Sequence, residues 1–277
     1  MIEQDVVKPG YILGFILSLL VLSWAVAILA AYGYIPLASL TLVPFLPGIL
    51  ALVLLSVEDH PIEVHARPLF QPVTGPSVAL AVIFPFAFVG IAAFVALGTG
   101  LGYLNAGAGA GIVAAIIAFL FAIPASLGQE YGYRGYLLPA ISYWEGRNWA
   151  TLTVGAVWGA AVAPVSYLLV RFSGSGDPLS TALLGLLLTV ALGYAFSCCY
   201  YLTGSILPVT LMNILLVLAI PGFFPGSWNP SGPNSGGLIG VTWPSPLPLL
   251  LLVALAFVPV FAWYITTMDG DIGGDAL

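Results

Sequence analysis

Charge is the scarcest thing in this sequence. Only 6% of its 277 residues are Asp, Glu, Lys or Arg, with 5 basic residues against 11 acidic ones and a net charge of −6. A soluble domain carries about 25% charged residues, so an ordinary soluble fold is excluded. Nucleic acid is excluded as a partner because binding it needs a basic surface. Imidazole is nearly absent: His60 and His65 are the only histidines. Thiols are limited to Cys198 and Cys199, adjacent inside an apolar run. Neighbouring cysteines rarely bridge, and no metal-ligand spacing surrounds these two. They read as two small apolar residues. Strand-like alternation is missing too, which disfavours a barrel. There is no internal repeat and no sign of a second domain.

Long apolar runs fill the space that charge leaves. Hydrophobic residues make up 61% of the chain and the mean hydropathy is +1.10. A membrane span needs about 20 mostly apolar residues. Eight candidates are found, near Tyr11–Ala31, Leu37–Val57, Val78–Gly98, Gly111–Leu127, Trp149–Arg171, Leu179–Tyr200, Ser205–Ile220 and Pro246–Thr267. The seventh is the shortest, and the fourth continues toward Glu130 and Arg134. In lipid every backbone polar group must be satisfied within the protein, which helices do span by span. The fold class expected is all-α: one polytopic transmembrane bundle over residues 1–277. The first run reads as a retained membrane helix rather than a cleaved leader.

Eight spans put both termini on one side. Lys8, Arg67, Arg134 and Arg147 fall on that side and Arg171 opposite, so the termini are expected in the cytoplasm of a plasma-membrane protein. Three connections stand out. Glu58–Ser77 is the most polar and is expected as a loop; its His60 and His65 read as a solvated or headgroup-facing segment. Asn105–Gly111 is built of small residues. Pro221–Ser245 is long and uncharged, with Trp228 and Trp243 suited to the outer membrane interface.

One polar island interrupts this grease: Gln129-Glu130-Tyr131-Gly132-Tyr133-Arg134-Gly135. Glu130 and Arg134 share a helix face at i,i+4. Charge at membrane depth is costly unless paired, so the two are expected as a hydrogen-bonded ion pair inside the protein. Gly132 and Gly135 would let another backbone come near. The alternative is a helix-end pair with Arg134 reaching to the cytoplasmic interface.

Gln129–Leu138 resembles the E-E-x-x-x-R-G-x-L signature of the CAAX prenyl protease and bacteriocin-processing family of intramembrane endopeptidases. Val157–Pro164 resembles the family's F-G-x-x-H-x-P segment, and Gly204–Asn213 its G-S-x-x-P-x-x-x-x-H segment. The resemblance covers roughly residues 110–220. It implies an intramembrane peptidase in which a Glu and a His activate water while a His and an Asn hold the oxyanion. Those four positions are Gln129, Val162, Asn213 and Val217 here, and all four depart from the pattern. Glu130 and Arg134 are the motif residues retained. A Gln is no general base, and Val162 can hold neither a proton nor a metal. A metal is allowed by the resemblance, but its ligands are missing, since zinc sites want three protein ligands from His, Cys or carboxylate. No cofactor is therefore expected.

These substitutions lead to three readings. The first is a catalytically impaired member that, besides the lipid bilayer, binds a membrane peptide, a prenylated or lipid tail, or another membrane protein. The second is an active divergent endopeptidase with Glu130 as base and Asn213 as oxyanion donor. The third is a small-solute or proton transporter using Glu130. The chain is expected not to cleave prenylated peptides.

Overall fold

The computed structural model describes residues 7–58, 62–105, 112–174, 176–224, 238–241 and 245–272. Among them ten α-helices form one bundle: α1 (Pro9–Ala31), α2 (Leu46–Val57), α3 (Ile62–Phe70), α4 (Gly75–Gly98), α5 (Ile112–Glu130), α6 (Leu138–Glu145), α7 (Arg147–Ser173), α8 (Pro178–Tyr201), α9 (Ile206–Phe223) and α10 (Leu247–Ile272). Seven segments among the described residues are long and apolar enough to cross a membrane. With α5 they agree with the eight expected spans, so the chain is an all-α polytopic membrane protein. Large apolar side chains such as Val21, Ile83, Leu120 and Leu252 point outward all round the bundle, as lipid requires.

The second span is not one uniform helix. Leu37–Phe45 is a 3₁₀ helix that passes directly into α2. Pro44 lies inside the 3₁₀ stretch and Pro47 in the first turn of α2, where each removes a backbone donor. The seventh span is longer than expected: Ser205 caps α9 by accepting from the Leu207 N–H at 3.3 Å, and the helix runs on to Phe223.

The two connections that can be checked differ from expectation. The polar stretch after α2 is not simply a loop. It forms α3, whose first turn carries Glu63 and whose last turn carries Arg67, charges of the right sign for each end of the helix dipole. Strands are not wholly missing either. Gly102–Leu104 (β1) and Ile239–Val241 (β2) pair antiparallel, with Tyr103 opposite Gly240, and tie the segment after α4 to the one before α10. His60, the small-residue loop after Asn105, Trp228 and Trp243 lie outside the described residues.

Close packing is concentrated where glycine allows it. On α7, Gly155 and Gly159 form a small-xxx-small face. A Cβ on Gly155 would sit 3.0 Å from the Val190 Cα, and one on Gly159 would sit 2.9 Å from the Leu186 Cα. α7 and α8 therefore meet backbone to backbone. The Trp24 indole N–H donates to the Ala160 carbonyl at 3.0 Å and fixes α1 against the same helix.

Candidate functional site

The polar island sits where α5 stops being an α-helix. Tyr131–Leu137 continues the chain as a π-helical segment before α6. Pro139, second in α6, cannot donate to the carbonyl four residues back, and a widened turn accommodates that gap. Such π-bulges are rare and frequently mark functional sites. Gly132 faces Pro47 so closely that a Cβ there would overlap the proline, and a Cβ on Gly48 would come 2.7 Å from the Gly128 carbonyl oxygen. The expectation that a backbone approaches beside the charged pair is met by α2. At Gly135 the neighbours are side chains, Pro68 of α3 at 3.4 Å and Ile206 of α9 at 3.5 Å.

Glu130 and Arg134 are both fully buried. Nη1 of Arg134 lies 3.0 Å from Oε2 of Glu130, so the pair is internal, and the reading of Arg134 reaching to the interface is wrong. The guanidinium and Oε2 thus face each other as a buried ion pair. The arginine is held by aromatic faces as well. Its guanidinium carbon is 4.9 Å from the Trp158 ring of α7, 4.9 Å from the Phe196 ring of α8 and 5.7 Å from the Tyr133 ring, all within the roughly 6 Å range of a cation–π contact. The delocalised, weakly hydrated guanidinium tolerates such a cage better than an ammonium would.

The other carboxylate oxygen is engaged elsewhere. Nδ2 of Asn213 donates to Oε1 of Glu130 at 2.7 Å and to Oε1 of Gln129 at 2.8 Å. An ionised carboxylate can only accept, which fixes the orientation of the Asn213 amide. The two N–H groups of Nδ2 are thereby both used. Ser197 Oγ and Thr210 Oγ1 are buried without a hydrogen-bond partner among the described residues, Ser197 next to Phe196 and Thr210 one turn from Asn213.

Of the six site residues expected from the sequence, Gln129, Glu130 and Asn213 come together through hydrogen bonds, and Arg134 joins them by charge. Val162 is half-buried on α7, one turn beyond Trp158, and packs against the core. Val217 is 50% exposed on α9 and lies outside the buried cluster. The aromatic cage was missed. Trp158 stood inside the second motif and Phe196 just before the cysteines, yet neither carries a polar signal. Cys198 and Cys199 are buried and free. The His65 side chain and all of His60 lie outside the described residues. The donors present do not suit a metal: the lone carboxylate stands among two amides, and no three His, Cys, Asp or Glu side chains gather among the described residues.

A helical bundle of membrane spans with a buried carboxylate, an arginine and an amide converging on one π segment defines the class: a polytopic membrane protein with an intramembrane polar site. Residues 111–219 match the family model described as Type II CAAX prenyl endopeptidase Rce1-like, so the chain carries an Rce1-like region that includes α5, the π segment, α7, α8 and the site residues of α9. No curated protein matches the sequence.

Proposed function

We propose that this chain is a non-hydrolytic relative of the CAAX-type endopeptidases that binds a membrane-embedded ligand: a peptide segment, a prenylated or lipid tail, or another membrane protein. The observation that carries this reading is the Asn213 amide. Both hydrogens of its Nδ2 are spent on Gln129 and Glu130, so the position expected to hold an oxyanion is closed on itself. Oxyanion donors accelerate a reaction only when aimed at the charge that develops there, an effect worth about 10²–10³ in rate. Gln129 and Val162 supply neither base nor imidazole. Purified protein incubated with prenylated CAAX peptides and generic peptides, with and without zinc, is expected to release no product.

The rival reading is a residual peptidase with Glu130, the one carboxylate of the cluster, as its base. Cleavage that disappears in Glu130→Gln would establish that reading and overturn ours. The placement of Lys8, Arg67 and Arg147 against Arg171 supports cytoplasmic termini in a plasma membrane. Tyr34, 77% exposed beyond the end of α1, is then outside. A Tyr34→Cys variant lacking Cys198 and Cys199 should react with an impermeant maleimide on intact cells, and labelling only after permeabilisation reverses the orientation.

A further inference from the structure

The π segment has a second side. Away from Glu130, its Tyr131, Gly135 and Tyr136 line a cavity of about 370 Å³, closed by Arg67 of α3, by Tyr143 of α6 and by Tyr200 of α8. This space holds no part of the Gln129–Glu130–Asn213 cluster. We infer that it is a headgroup site for an anionic phospholipid, with the lipid phosphate received by Arg67 and the tyrosine hydroxyls.

Three observations carry the inference. The first is depth. Every wall of the cavity comes from the ends of the spans on the side of the chain termini: before α1, the end of α2, α3, the π segment, α6 and the α8–α9 turn. At that same end large aromatic side chains stand exposed, Phe70 at 82%, Trp149 at 65% and Trp263 at 68%, with Tyr143 and Trp144 beside them. Such a belt marks the height of lipid headgroups, so the cavity opens where phosphates lie.

The second observation is charge. Among the described lining residues Arg67 is the only ionisable acid or base, the tyrosines aside. It is exposed, and close enough to Tyr200 to act electrostatically on its hydroxyl. Glu63 sits one turn earlier on α3, and Glu58 stands beside Tyr136, but neither lines the cavity. A guanidinium offers five donors, enough for an acidic neighbour and a phosphate together, and its planar fork matches phosphate oxygens.

The third observation is the rest of the lining. Tyr136 lines the cavity together with Tyr131, Tyr143 and Tyr200, and Glu58 takes the Tyr136 hydroxyl. Gln71 and Thr203 add neutral polar groups, while Val7, Leu55, Pro68 and Pro139 give the space an apolar side, as the glycerol backbone of a lipid would need. Inorganic phosphate shares the anionic chemistry but not that apolar part.

This site does not depend on whether the Glu130 cluster hydrolyses anything, so the peptide assay and the lipid assay fail separately. The test is native mass spectrometry and thermal unfolding of the full chain in neutral detergent, with phosphatidylglycerol, phosphatidylcholine or inorganic phosphate added. Phosphatidylglycerol is expected to remain bound and to raise the Tm more than phosphatidylcholine does. Arg67→Gln, at an exposed position that should leave folding intact, is expected to weaken phosphatidylglycerol binding on the order of tenfold, the size of one lost charged contact, and Arg67→Lys should recover part of it. Arg171→Gln, at the opposite end of the bundle, should bind as the parent does. Equal binding of phosphatidylcholine, undiminished binding by Arg67→Gln, or an equal loss in Arg171→Gln would each overturn the proposal. So would a Tm rise with inorganic phosphate as large as that with the lipid, which would make a free anion the ligand.

Discussion

Two arginines in this molecule lie against aromatic rings, and their settings differ in nearly every other respect. Arg134 is fully buried among Trp158, Phe196 and Tyr133 and faces Glu130 across 3.0 Å. Arg147 is half-buried at the terminal end of α7, 5.2 Å from the Tyr201 ring, where its carbonyl accepts from the Tyr201 hydroxyl and Ser142 shares that hydroxyl at 2.7 Å. Arg147 keeps water within reach, so its ring contact adds little to what solvent already supplies. Arg134 has exchanged water for a carboxylate and three rings. Its neighbourhood must hold together as a unit, because any one partner lost leaves charge in a dry interior. The same residue type is a peripheral fastening in one place and a structural commitment in the other.

The largest expected effect tests that contrast directly. Arg134→Ala leaves Glu130 buried without its cation and should destabilise by about 3–5 kcal/mol, whereas Arg147→Ala should cost less than about 1 kcal/mol. Thermal unfolding of the two variants in the same detergent decides it, and equal losses would mean that Arg134 is solvated.

The next comparison is between two asparagines. Asn213→Ala strips the donor from both Gln129 and Glu130 and should cost about 1–3 kcal/mol. Asn148→Ala removes a single bond to Thr266 Oγ1, at 2.8 Å near the bundle's terminal end, and should cost less than about 1 kcal/mol. If the order were reversed, the buried amide would contribute less than the geometry indicates.

A pair of glycines on the π segment sharpens the packing side of the comparison. Gly132→Ala would drive a methyl into Pro47 and should cost about 1–3 kcal/mol as overpacking. Gly135→Ala meets Pro68 at 3.4 Å, an ordinary contact, and should be close to neutral. Melting curves that fail to separate the two would place the tight approach of α2 elsewhere.

The smallest effect is expected at the far end of the bundle, where Asp177 caps α8 by accepting from the Ser180 N–H at 2.8 Å. Hydrogen bonds from the Ser180 hydroxyl and then from its backbone N–H hold the Asp177 carboxyl below the usual carboxylate range. A depressed folded-state value means that the contribution is complete above the ordinary carboxylate pKa and fades as the pH falls below it. Asp177→Ala should therefore lower the Tm slightly at neutral pH and not at all in strong acid. A difference that persists in acid would locate the effect elsewhere than in the cap.

Much of the fold was legible because hydrophobic length is a one-dimensional property. Runs such as Pro9–Ala31 and Gly75–Gly98 have no folding choice in lipid except a helix. The departures arise where composition does not set geometry. Ile62–Phe70 carries Glu63, His65, Arg67 and Pro68 and looks like a polar connection, yet the right charge at each end lets it coil. The segment before Leu46 has span-like hydropathy, yet it winds as a 3₁₀ helix with Pro44 inside it.

The candidate site divides in the same way. The sequence by itself determined that a carboxylate and an arginine lie four residues apart in a membrane helix, that the residues expected to activate water are replaced, and that Asn213 stands third in line. Sequence spacing carries those facts because they belong to one helix or to one position in a motif. Only the tertiary structure decided what holds Arg134. The cage is assembled from α7, α8 and the π segment, and Trp158 and Phe196 are ordinary apolar residues until folding brings their ring faces to a cation. Folding also decided that the Asn213 amide closes on Gln129 and Glu130, since a hydrogen bond between residues more than eighty positions apart depends on how α5 and α9 pack and leaves no trace in local sequence.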